Sequence, residues 1–139
     1  MLFQVTHPPD PRPVLVVETT AHIDEGVIEG LKQRMLGMGC SNGLLFDADE
    51  CLILRDTYTS LEVDSLQVDA RVSTARLLAR MPGPDVPMDQ RVLHWLHSMA
   101  ASWDTALPPD PDVTAHFITD IVPAVSGSDI HEVARPGAR

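Results

Sequence analysis

The run Pro13-Val14-Leu15-Val16-Val17-Glu18-Thr19-Thr20 constrains this chain more than any other stretch. Four consecutive aliphatic residues, three of them valines, have strong β character and no polar face. Such a run suits a strand covered on both sides, at the centre of a sheet, and it demands two layers of apolar cover. It ends in a carboxylate, Glu18, followed by Thr19, Thr20 and, two positions on, His22. An acid at the end of a buried strand is either a site residue or the cap of the helix that follows.

The rest of the chain supplies what a central strand needs. Leu2 to Thr6 reads as a strand, and the four prolines between His7 and Pro13 form a stiff connection, because proline lacks the N–H of a sheet ladder. The first strand and Val14–Glu18 then pair as an antiparallel hairpin. Asp24 is a helix N-cap, and Val27 or Ile28, Leu31, Met35 and Met38 recur at helical spacing before Gly37 and Gly39 end the helix. Gly43–Asp47 and Cys51–Asp56 read as a second hairpin, with Asp47, Asp49 and Glu50 explained by turn chemistry. Strand, helix and strand within about thirty residues is the size of a βαβ unit.

Beyond Asp56 the pattern weakens. Asp56 to Asp69 reads as an irregular polar loop, and Ser73 or Thr74 caps a short helix running to Arg80. A long helix follows Pro87 and ends near Ala106, with Val92, Trp95 or Leu96, Met99 and Trp103 as its stripe. Thr114 to Val125 is β-branched enough for a last strand, placed at an edge by Pro123. The fold expected is α/β, a central mixed β-sheet flanked by helices, in one domain over residues 1–125, with 126–139 a polar, frayed tail.

The 20 acidic against 10 basic residues give a net charge of −10, which disfavours nucleic acid and anionic membranes as partners. No stretch approaches the length of apolar sequence that spans a bilayer, and no signal peptide is visible, so a cytoplasmic protein is expected. Cys40 and Cys51 read as free buried thiols. His94, His97 and His116 lack the pattern of a zinc site, and no phosphate loop or nucleophile elbow is present.

The order of elements around Glu18, with Leu31–Gly39, Asn42–Phe46 and Leu52–Asp56, resembles the core of PD-(D/E)XK nuclease-like domains. The branch it is most similar to is that of type I restriction subunit N-terminal domains. The resemblance implies a restriction-endonuclease-like core in which an Asp and the Glu of Glu-x-Lys bind Mg2+ and the Lys serves the attacking water. Glu18 matches the Glu. Thr20 stands where the Lys is expected, with Lys32 or His22 as replacements, and Asp10 is the only nearby Asp preceded by proline. The resemblance thus leaves two expectations. One is a degenerate, non-catalytic binding or assembly module. The other is an active magnesium-dependent nuclease with Asp10 and Glu18 as metal ligands. The family's leading helix has no room before Met1, which would uncover one sheet face. With strand edges exposed at the start and near Pro123, that gap makes a homodimer an expectation as well.

Overall fold

A computed structural model describes residues 1–83 and 85–133. Its centre is a six-stranded mixed sheet in the order β5-β4-β3-β2-β1-β6. The strands are β1 (Leu2–Thr6), β2 (Pro13–Thr19), β3 (Asn42–Phe46), β4 (Glu50–Asp56), β5 (Leu66–Ser73) and β6 (Asp129–Val133). The organising run is β2, flanked by β1 antiparallel and β3 parallel, and Leu15 to Val17 are fully buried.

The two faces of the sheet are covered separately. Helix α1 (Glu25–Met38) crosses from β2 to β3 and lays Ile28, Leu31 and Met35 on Leu2, Val16, Leu45, Leu52 and Leu54. The Asp24 carboxylate accepts the Val27 N–H at 2.8 Å, and Gly39, at φ 65°, closes the last turn as the glycine preference for left-handed backbone predicts. Helices α2 (Thr74–Leu77), α3 (Met88–Ala106), α4 (Pro111–Ile118) and α5 (Ile121–Val125) cover the opposite face. There Trp95 is fully buried, edge-on to Phe46 at 5.8 Å and to Phe117 at 5.9 Å. Edge-to-face rings of this geometry tie sheet, α3 and α4 into one core.

Four expectations need correction. Residues 56–69 are not loop throughout, since β5 begins at Leu66 and pairs with β4 along its whole length. Its alternation is broken by a bulge opposite Ile53 and Leu54, and its outward residues Gln67, Asp69 and Arg71 are polar because it is an edge. Residues 114–125 are helical, not a strand. Asp110 caps α4 through the Asp112 N–H at 3.1 Å, and Val113, Phe117, Ile121 and Val125 repeat every fourth residue, which outweighs β-branched propensity. Pro123 is the third residue of α5, inside the first turn, where a missing N–H costs no helical bond. The short helix after Ser73 stops at Leu77, short of Arg80.

The supposed tail contributes β6, antiparallel to β1 with Phe3 opposite Glu132 and Val5 opposite Ile130. β1 is therefore an interior strand, and neither sheet face is bare. The rest of the expected tail lies outside the described residues.

Helix α1 approaches β3 closely at Gly43, where an added Cβ would lie 2.6 Å from the Met35 sulfur. Gly43→Ala is expected to lower unfolding free energy by about 1–3 kcal/mol, the range for overpacking a core. Combining it with Met35→Ala should recover part of that loss in a urea double-mutant cycle, because the two changes share one contact.

Candidate functional site

Glu18 is the penultimate residue of β2 and lies on the α1 face, since it alternates with Val17 on the other side. It is only 3% exposed. A lone carboxylate at such a place is strongly disfavoured, and it is held by Arg34 of α1, whose Nη1 lies 2.7 Å from Oε1. The Arg34 side chain is 28% exposed, so its outer face stays hydrated. Lys32 and Arg34 flank the Leu31–Met35 stripe on opposite sides of the helix, at 100° per residue. Arg34 is the one over the end of β2, whereas half-buried Lys32 has no ion pair among the described residues.

The other expected site residues are dispersed. Asp10 lies before the start of β2, roughly 16 Å of strand from Glu18. It is fully engaged by Arg12, whose Nη2 reaches it at 2.8 Å and whose N–H and side-chain bonds hold its carboxyl down at about 2. Thr20 donates to the His22 carbonyl at 3.4 Å and lines a hollow of about 350 Å³ with Met1, Met88 and Asp89. His22, like His94, His97 and His116, is exposed. Mg2+ finds no fit in this arrangement. The two carboxylates expected to share an ion are at opposite ends of β2, and each is already paired with a guanidinium. Among the described residues no group of three or more His, Cys, Asp or Glu side chains is placed to hold a metal.

Asp47 has a structural part that turn chemistry anticipates only in half. At the end of β3 its Oδ1 accepts the Asp49 and Glu50 N–H groups at 2.8 Å each, which shapes the hairpin. Its Oδ2 also accepts the Ile23 N–H at 3.2 Å, fastening the approach to α1. That second bond crosses 24 positions and leaves no local signal in the sequence. Burial alone would raise the Asp47 pKa, but the three N–H bonds and nearby His22 outweigh it and hold the carboxyl below its ordinary 3.8.

At the opposite end of the sheet Arg55, the last but one residue of β4, pairs with Asp120 at the start of α5 and with Asp69 of β5 at 3.4 Å. These groups line a cavity of about 490 Å³ together with Asn42 and Tyr58. Tyr58 has φ 58°, a left-handed conformation uncommon for an aromatic residue, and its N–H is held by Asp56 Oδ1 at 2.8 Å. Asp56 Oδ1 also accepts the Ser65 hydroxyl at 2.9 Å. Cys40 and Cys51 are buried free thiols, and burial pushes both above the ordinary thiol value. Among the described residues no helix is long and apolar enough to cross a membrane.

No protein-family model, curated protein or solved structure matches this chain.

A carboxyl depressed in the folded state stabilises the protein above the ordinary carboxylate range, and the contribution disappears as pH falls through the folded value. Asp47→Ala is therefore expected to cost about 2–3 kcal/mol at pH 7, where it strands buried N–H donors. Urea unfolding between about pH 5 and pH 3 should show a shallower loss of stability in Asp47→Ala than in the wild type.

Proposed function

We infer that this chain is a restriction-endonuclease-like domain that has lost hydrolysis and acts as a protein-binding or assembly module. The observation that carries this reading is the Glu18–Arg34 pair. The carboxylate that the resemblance would give to a metal is 3% exposed and bound to a guanidinium on the crossing helix. A cation covalently tethered at 2.7 Å competes directly with a divalent ion for the same oxygen. Thr20, at the position of the family lysine, brings no positive charge.

The order of an antiparallel hairpin, a crossover helix and a parallel strand that opens another hairpin agrees with the arrangement the resemblance implies, and supports the fold half of the reading. A likeness of fold carries no activity with it. A cytoplasmic setting fits two buried cysteines that stay free. Homodimerisation, expected from exposed edges at β1 and near Pro123, has neither edge to rest on. β1 is paired on both sides and Pro123 is helical. The net charge of −10 continues to favour protein over nucleic acid as the partner class.

Titration with millimolar Mn2+, followed by paramagnetic broadening of amide resonances, separates the two expectations. The module reading predicts no broadening centred on Glu18 and Asp10, and no cleavage of DNA or RNA with Mg2+ or Mn2+. Broadening at both residues that Glu18→Gln abolishes, together with metal-dependent cleavage, would establish the nuclease instead.

A further inference from the structure

The chain between β4 and β5 presents its two most exposed large apolar side chains. Tyr58 is 76% exposed and Leu61 is 93% exposed. They are three positions apart, so no more than about 10 Å of chain separates them. Beside Tyr58 opens the cavity of about 490 Å³ that holds Arg55, Asp69 and Asp120. An exposed aromatic and an aliphatic residue next to a cavity have the composition of an interface centre rather than of ordinary surface.

The charge around them is one-sided. From Asp56 to Ala70 the chain carries Asp56, Glu62, Asp64 and Asp69, and no lysine or arginine. Arg55 is the cation of the cavity, and it is already shared between Asp69 and Asp120. Asp56, Glu62 and Asp64 have no cationic partner among the described residues. The segment therefore offers two exposed apolar side chains in a stretch of chain whose charged residues are all acidic.

We propose that the 57–62 loop and its cavity dock a basic segment of another protein, with an arginine or lysine entering the acidic cavity along Tyr58 and an apolar neighbour covering Leu61. A cation over the tyrosine ring gains from the ring quadrupole as well as from the carboxylates. The complementary charges speed encounter and orient the segment, and the apolar pair supplies the contact that is lost slowly. Nucleic acid and anionic membrane carry the wrong sign for this face. A second copy has the same acidic surface and a net charge of −10, so it is repelled as well. The proposal deepens the binding-module reading and rests on it for the existence of a partner.

The test uses the full chain and a synthetic peptide of repeating arginine, glycine and leucine, read by amide chemical shifts and by anisotropy of the labelled peptide. Saturable binding is expected, with the largest shifts in residues 55–65 and at Asp120, and none for the same peptide with glutamate replacing arginine. Leu61→Ser and Tyr58→Asn should each weaken binding at least about fivefold, as removal of an interface anchor does. Asparagine tolerates the left-handed backbone at position 58, and Leu61→Ser alters a side chain that packs on little, so the fold survives in at least one variant. Glu29→Gln, which removes an exposed acid from α1, should change affinity by less than about twofold, marking general charge attraction as a minor part. The proposal is overturned by absence of binding, by shifts spread over the surface or centred elsewhere, or by loop variants that bind like the wild type. Concentration-dependent shifts of the loop without peptide would assign the surface to a second copy, and shifts caused by duplex DNA would assign it to nucleic acid. None of these failures touches the non-catalytic reading, which falls only to metal-dependent cleavage.

Discussion

A carboxylate buried between a sheet and a helix must be neutralised, and in this fold the helix itself supplies the counter-charge. Glu18 of β2 is 3% exposed, and Arg34 of α1 reaches it at 2.7 Å. The desolvation of a buried ion costs several kcal/mol unless geometry and partners are good. The pair therefore fixes the rotation of α1 about its axis as well as its position along the sheet. Leu31 and Met35 face down only in that rotation, and Gly43 then has to be bare where Met35 passes. The parallel pairing of β2 with β3 depends on this crossover. The Asp47 carboxylate, at the same end of the parallel pair as Glu18, adds a second tie by holding the Ile23 N–H.

The remaining architecture protects that centre. β6 covers the side of β1, leaving β5 and β6 as the edges, and both place charged residues outward among apolar ones. Asp69 and Arg71 of β5, with the bulge beside Asp69, make the strand a poor template for pairing with another chain. The opposite face is closed by rings, Phe46 against Trp95 against Phe117, rather than by the aliphatic packing under α1.

The legible parts of the fold were those whose signals are local. The β2 run, the Asp24 cap, the Gly39 stop and the hairpin after β3 all carry their instructions within a few residues. β5 was hidden because an edge strand alternates with polar residues and its bulge shifts the phase at Asp69. The segment 114–125 misled because valine and isoleucine argue for strand one residue at a time, whereas the four-residue spacing from Val113 to Val125 decides the outcome. β6 is polar and short, and its strand character comes from an unpaired edge contributed by residues more than a hundred positions earlier. The candidate site divides in the same way. A strand-end acid at Glu18 is visible from its neighbours. That Arg34 rather than Lys32 should meet it depends on which flank of α1 overlies β2, and that is a property of the packed pair. Asp10 looked close in sequence, yet a strand of this length carries it to the far end.

The most direct measurement of the central claim is a double-mutant cycle on unfolding free energy using Glu18→Gln, Arg34→Met and their combination at neutral pH. A structural ion pair predicts that each single change is destabilising, that Arg34→Met is the more severe because it strands a buried charge, and that the double variant recovers at least about 1 kcal/mol relative to the sum. Additivity within about 0.5 kcal/mol, with Arg34→Met as stable as the wild type, would contradict the account.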